Sequence, residues 1–385
     1  MSVTAANISS VRASSGEVAQ PAGLWLRSPG WDMLFITLSV FLVPLPYLLY
    51  LLGKEFGMTS DVSRNLVNGV VSVLVGGPHM YATFLRTAFD QKFSKRYPML
   101  IRSSIIIPIV VISLAFLNLT LLLAVFFFWA LVHVLHQVTY ITELYNHRKD
   151  QANGFEEKET FLPQSLSMPS RFIDYAVVMT CMFPFTAYKI SQGTFNVGSN
   201  HLTSVIPGIF QAEWFFIAMT SVFFLSVMAY IGKSWMEYRR GHLHWPKTIF
   251  IVITVIVASI IPALPNLDTA FQGLNTWHSF QYLALTFLII RLREKRGELE
   301  DAAPFVHKLA KGNNSRKLYF FTITLLLGSA FVFAFMFGIV AIMEPNNIGS
   351  NRHFDIAYYT AILCFLWIHY YHDHFLFTDF EAIDA

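Results

Sequence analysis

The stretch TLLLAVFFFWALVHVLHQVTYITELYN, Thr120 to Asn146, decides the class of this chain. It is longer than the roughly 20 residues a helix needs to cross the hydrocarbon core of a bilayer. Its first half is apolar on every side. A lipid-facing helix has no use for imidazole, yet His133 and His136 stand inside it, three residues apart. At about 100° per residue, His133, His136, Tyr140, Glu143 and His147 fall in one stripe running toward the end of the segment. The run therefore reads as a membrane span with a functional face.

The rest of the chain agrees. Of 385 residues, 55% are hydrophobic and 13% charged, against about 25% charged in a soluble domain. Ten stretches have spanning character: 32–53, 64–88, 103–117, 120–146, 172–192, 211–232, 248–266, 269–292, 318–343 and 355–377. The expected fold is all-α, a polytopic integral membrane helical bundle with about ten transmembrane helices. It comprises a disordered tail (residues 1–30), a helical domain (31–379) and a short C-terminal tail (380–385). The third stretch is short and turns into the fourth at Asn118–Thr120. Pro44 and Pro46 are expected to kink the first.

Loop charge sets the orientation. Arg86, Lys92, Lys95 and Arg96 follow the second stretch, Arg148 and Lys158 the fourth, Arg239 and Arg240 the sixth, and Arg293 to Lys317 the eighth. The alternate loops are nearly free of Lys and Arg, so both termini are expected in the cytosol, as in a bacterial-type inner membrane protein. The net charge of +3 gives no reason to expect a nucleic-acid partner. The two cysteines, Cys181 and Cys364, lie in separate apolar runs and form no metal motif. Any metal must be held by histidine and carboxylate.

Five of the thirteen histidines fall in one slab. His79, His133, His136, His369 and His372 lie about 10–15 Å from the cytosolic ends of their helices, counting 1.5 Å per residue. His278 lies deeper, at about 20 Å by the same count. It shares a polar patch with Asn275, Gln281 and Tyr282. The last stretch ends in HYYHDH, where His369 and His372 are again three apart and His374 points elsewhere. Burying ionisable groups in a membrane is costly unless they are paired, so such residues are functional candidates by default. The metal-ligand pool is His79, His133, His136, His278, His369 and His372, with His147 and His374 recruited if two ions are bound. Glu143, Asp373 and Asp90 are candidate ligands or acceptors for ring N–H groups. The bland alternative is packing and interfacial snorkelling.

Two segments carry a resemblance. GGPHMYATFLRTAFD, Gly76 to Asp90, is similar to the Gly-x-Pro-His segment of Brp/Blh-type β-carotene cleavage dioxygenases, and TWHSFQYL, Thr276 to Leu283, resembles their late Trp-His-Ser segment. More broadly, the gathering of histidines on one side resembles histidine-box membrane desaturases and hydroxylases. Here, however, HxxH and HxxHxH stand in place of the usual HxxxH and HxxHH. The resemblance implies histidine-bound non-heme iron and oxygen chemistry.

The expected function is a membrane-embedded non-heme iron oxygenase, hydroxylase or desaturase. Its substrate would be lipophilic, a carotenoid, isoprenoid or fatty-acyl chain entering from the lipid bilayer, with an electron donor as partner. Tyr140, Tyr282 and Glu143 are the candidate catalytic groups, the tyrosines as hydrogen-bond donors to bound oxygen. The alternatives are a heme-binding electron-transfer subunit and a proton-coupled transporter. The second requires a polar route across the whole membrane, and the outer halves of most spans read as almost purely apolar.

Overall fold

The computed structural model describes residues 24–153, 168–198, 200–312, 314–347, 350–379 and 381–383. Residues 1–23 of the predicted tail, the loop containing Lys158, and 380, 384 and 385 lie outside them. The described chain is almost entirely helical. Twelve helices of nine residues or more follow in order: α1 (Pro44–Glu55), α2 (Ser60–Val71), α3 (Gly77–Arg86), α4 (Ile106–Leu117), α5 (Leu119–Asn153), α6 (Met168–Thr180), α7 (Phe183–Ser191), α8 (Glu213–Arg239), α9 (Trp245–Ile260), α10 (Leu267–Lys295), α11 (Ser315–Met343) and α12 (Asn351–Leu376). A two-residue antiparallel pair, β1 (Asn196–Val197) with β2 (Asn200–His201), follows α7.

Among the described residues, six segments are long and apolar enough to cross a membrane: Pro29–Glu55, Pro98–Leu117, Leu119–Arg148, Glu213–Arg239, Trp245–Ala263 and Ser315–Met343. The other four expected spans are helical but broken or more polar. Residues 64–88 form α2, a π-helical turn at Ser72–Gly76, and α3. Residues 172–192 break between α6 and α7. Stretches 269–292 and 355–377 fall in the long helices α10 and α12, whose buried histidines, Gln281, Asp355 and Asp373 lower their hydropathy.

Local chemistry explains the breaks. Pro44 and Pro46 occupy the start of α1, preceded by a π turn (Met33–Thr37) and a 3-10 turn (Leu38–Leu42), so the first span is irregular as its prolines foretold. Asn118 ends α4 and its side chain accepts the Leu121 N–H at 2.9 Å, starting α5. Pro78 lacks an N–H for the carbonyl of Leu74, and the Tyr319 hydroxyl donates to that carbonyl at 2.6 Å. A side chain at Gly77 would run into Leu326 and the Ser72 carbonyl, so glycine there permits α11 to press against the π turn.

The described residues nearest each terminus pack onto the bundle. Leu26 is buried in the core. The Leu26 and Arg27 N–H groups donate to Asp32 at 2.7 and 3.1 Å, and the Tyr145 hydroxyl does so at 3.0 Å. Leu26 and Arg27, which lie within the stretch expected as a tail, are thus held on the bundle. Near the C-terminus, Ile383 is buried and its carbonyl accepts from Arg148 at 2.9 Å. A buried ionic cluster ties α6, α8 and α9 to α5: Lys233 pairs with Asp174, and Lys247 bridges Asp174 at 2.8 Å and Asn146 at 2.9 Å.

Candidate metal centre

Four helices each bring one histidine to a common point. His79 comes from α3, His133 from α5, His278 from α10 and His369 from α12. All are buried, and one nitrogen from each lies within 4.8 Å of the others. Their rings meet edge to face, with centroids 4.4 Å apart for His79–His369 and 4.9 Å for His79–His278, His133–His278 and His133–His369. The Nε2 atoms of all four, and Nδ1 of His278, have no hydrogen-bond partner. A buried polar atom left so costs about 1–3 kcal/mol. Such orphans crowded together call for a shared ligand.

The outward nitrogens are held from behind. His79 Nδ1 lies 2.8 Å from the Gly76 carbonyl and 2.9 Å from Ser279 Oγ. A carbonyl can only accept, so Nδ1 carries the proton and Nε2 turns its lone pair inward. On His369, Nδ1 makes a short contact with Thr83 Oγ1. Thr83 also donates to Asp373 Oδ1 at 3.0 Å and touches the Tyr282 hydroxyl at 2.6 Å, while Tyr282 donates to Asp373 at 2.7 Å. Thr83 stands four residues after His79, on the same helical face. Asp373 Oδ2, itself without a partner, lies 3.5 Å from His369 and 3.9 Å from His133. Four neutral imidazoles leave the charge of a divalent ion uncompensated in a low-dielectric interior, and Asp373 is the nearby counter-charge. Tyr370 stacks on His133 at 4.0 Å and closes that side. The residues present thus fit a metal ion: four inward lone pairs, two of them oriented from outside, and one buried carboxylate.

The expected ligand pool is only partly gathered. His278, expected deeper, is a full member. Counting residues from helix ends assumes upright helices with a common origin, and membrane helices are commonly tilted. His372 is not in the group: Thr87 Oγ1 at 3.0 Å and Ser104 Oγ at 2.8 Å occupy both its ring nitrogens. His136 faces His374, ring centroids 5.7 Å apart, and Phe377 rather than the four histidines. The reason is geometric. Residues three apart on a helix diverge by about 60°, so a centre this small admits one of each pair. His147 lines a cavity near the predicted cytosolic end. Glu143 lies outside the centre, accepting from Asn146 at 2.9 Å and from Tyr175, with Arg171 at 3.4 Å. Tyr140 donates to the Asp379 carbonyl at 2.9 Å and does not reach the histidines, whereas Tyr282 borders them. The sequence reading missed Ser279, although it adjoins His278 and stands four residues after the singled-out Asn275.

Three of the expected spans carry buried or half-buried polar groups in the half expected to be apolar. Arg64 is buried between Asp355 at 3.2 Å and Asp268 at 3.5 Å. From Asn68 a side-chain relay runs through Gln272 (2.8 Å), Asn275 (3.0 Å) and Ser279 (3.3 Å) to His79. Interior faces carry this polarity while the outward faces of the long helices are largely apolar, and a linear hydropathy profile averages the two. No protein-family model, curated protein or solved structure matches this chain.

Proposed function

We propose that this chain is a membrane-embedded, metal-dependent oxidoreductase, a non-heme iron oxygenase, hydroxylase or desaturase acting on a lipophilic substrate such as a carotenoid, isoprenoid or fatty-acyl chain. The observation that carries this reading is the convergence of four buried histidines with unpartnered ring nitrogens from four helices. Imidazole suits iron as well as zinc and copper. The resemblance of the His79 and His278 segments to β-carotene cleavage dioxygenases favours iron. Bound there, iron would supply oxygen activation. His79, His133, His278 and His369 hold the ion. Gly76, Ser279 and Thr83 fix the rings, and Asp373 balances charge. Tyr282 directs its hydroxyl to Asp373 beside the centre and is the group placed to hold a proton. The surrounding apolar side chains exclude water. A heme fits less well, because a porphyrin brings four nitrogens of its own and needs axial ligands on opposite faces rather than four imidazoles converging on one point.

Metal analysis of protein purified without chelators tests this reading. About one iron per chain is expected, lost in His133→Ala and His369→Ala. A metal-free wild type after anaerobic purification in iron-supplemented medium would refute it. In the same reading the chain crosses the membrane ten times with both termini cytosolic. Reporter fusions after Lys95, Arg240 and Arg296 should then read cytosolic, and one after Asn200 external. The relay from Asn68 to His79 favours a second reading, a proton-coupled carrier. Proton flux through metal-free protein in liposomes would support it.

A further inference from the structure

On the predicted cytosolic side of the histidines lies a cavity of about 670 Å³. Arg86, Lys92, Arg96, Arg293 and Arg296 line it against three carboxylates, Asp90, Glu298 and Asp379. Two of those carboxylates are taken up locally. Arg293 meets Asp90 at 2.8 Å and Glu298 at 3.3 Å, and Arg296 meets Glu298 at 2.6 Å. The third, Asp379, is half-exposed and pairs with the buried Arg86 at 3.6 Å. Arg86 stands one turn beyond Thr83 on α3, so it forms the floor between the cavity and the centre.

The segment carrying Asp379 is also the cover of the histidines. Two residues before it, the buried Phe377 packs on Tyr140 (5.0 Å between ring centroids), His136 (5.1 Å) and His133 (5.8 Å). The Asp379 carbonyl is held by Tyr140, and the Asp379 carboxylate by Arg86. What Arg86 binds and where Phe377 sits are therefore linked.

We propose that this vestibule binds the phosphate head of an amphipathic substrate, which replaces Asp379 on Arg86 and so releases Phe377 from the histidine centre. The part about substrate rests on the oxidoreductase reading above. Among the described residues, five cations against three carboxylates leave an excess of two, and displacing Asp379 raises it to three. That suits a phosphate monoester, which carries about −1.5 to −2 charges at neutral pH, better than a neutral head. Guanidinium groups bind phosphate through paired N–H donors. An alkyl chain on the phosphate would then extend toward the ring that Phe377 vacates.

The test uses the metal-free full chain in phosphatidylcholine nanodiscs, with an environment-sensitive dye on Thr378→Cys; the native Cys181 and Cys364 are buried. Titration with dodecyl phosphate should shift the dye signal saturably. Dodecanol should bind at least about tenfold more weakly, the cost of losing charge-assisted hydrogen bonds. Arg86→Gln should weaken binding by about tenfold or more. Because Arg86 is buried, the rim double variant Lys92→Gln/Arg96→Gln serves as a second probe and should weaken binding several-fold, about what two exposed charges contribute. Asp379→Asn should tighten it, since the competing carboxylate is gone. If phosphatidic acid in the disc competes with dodecyl phosphate, the site is supported and its ligand comes from membrane lipid; if it does not compete, the site is supported and the ligand is a free amphiphile. Equal affinity for dodecanol, weaker binding in Asp379→Asn, or binding of inorganic phosphate and dodecyl phosphate without any dye response would overturn the proposal. None of these outcomes depends on metal, so failure here leaves the metal reading standing, and a metal-free wild type leaves this site standing.

Discussion

Replacing His278 by leucine should raise the stability of the metal-free protein and remove its response to metal. His278 is buried and both its ring nitrogens lack partners. The hydrogen bond from Gln137 at 3.1 Å goes to the His278 backbone carbonyl, so it survives the substitution. Each unsatisfied buried group costs about 1–3 kcal/mol. Removing the two nitrogens, less some loss of fit, should therefore stabilise the apo protein by about 1–3 kcal/mol. In a chain of this size each kcal/mol moves Tm by roughly 1 °C, so a rise of about 1–4 °C is expected. Metal at 100 times Kd should stabilise the wild type by about 2.7 kcal/mol. If losing one ligand lowers affinity about 100-fold, the same metal concentration adds only about 0.4 kcal/mol to the variant. Thermal unfolding in detergent, with and without iron(II), should give a clear metal-dependent rise for wild type, a variant nearly indifferent to metal, and wild-type apo protein lowest. If the metal-free variant melts below the metal-free wild type and iron raises both equally, His278 is a packing residue and the centre does not exist as described.

Other substitutions separate support from ligation. Thr83→Val should lower metal affinity by about 10- to 100-fold, the usual effect of removing a group that orients a ligand, as read by competition with a chelator. His136→Ala and His374→Ala should leave metal content unchanged, because their rings face each other; a loss like that of His133→Ala would point to a second ion nearby. Lys247→Met leaves the buried Asp174 with Lys233 as its remaining cationic contact and should destabilise the fold by about 3–5 kcal/mol, seen as a lower Tm with metal stoichiometry intact.

Much of the centre was legible because an apolar run makes each imidazole conspicuous. His79, His133 and His369 stand out in apolar runs, and helical periodicity places Thr83 on the face of His79. Periodicity does not say how closely four helices approach. His136 and His372 looked equivalent to their neighbours three residues away, and a centre within 4.8 Å excluded them. Tyr140 and Glu143 shared the stripe of His133 but lie farther along α5, where Asp379, Tyr175 and Arg171 claim them.

The sequence by itself determined that this is a helical membrane-type chain whose histidines are out of place in lipid, because hydropathy and helical period are properties of consecutive residues. It also determined the turn at Asn118 and the irregular first span, which depend on one side chain and two prolines acting locally. Only the tertiary structure decided which histidines meet, that Asp373 and Thr83 stand between α3 and α12, and that the C-terminal end of α12 covers the centre through Phe377. Those outcomes depend on how α3, α5, α10 and α12 rotate and tilt against one another. That is fixed by close approaches such as Gly77 against α11 and by long-range hydrogen bonds, which no window of consecutive residues contains.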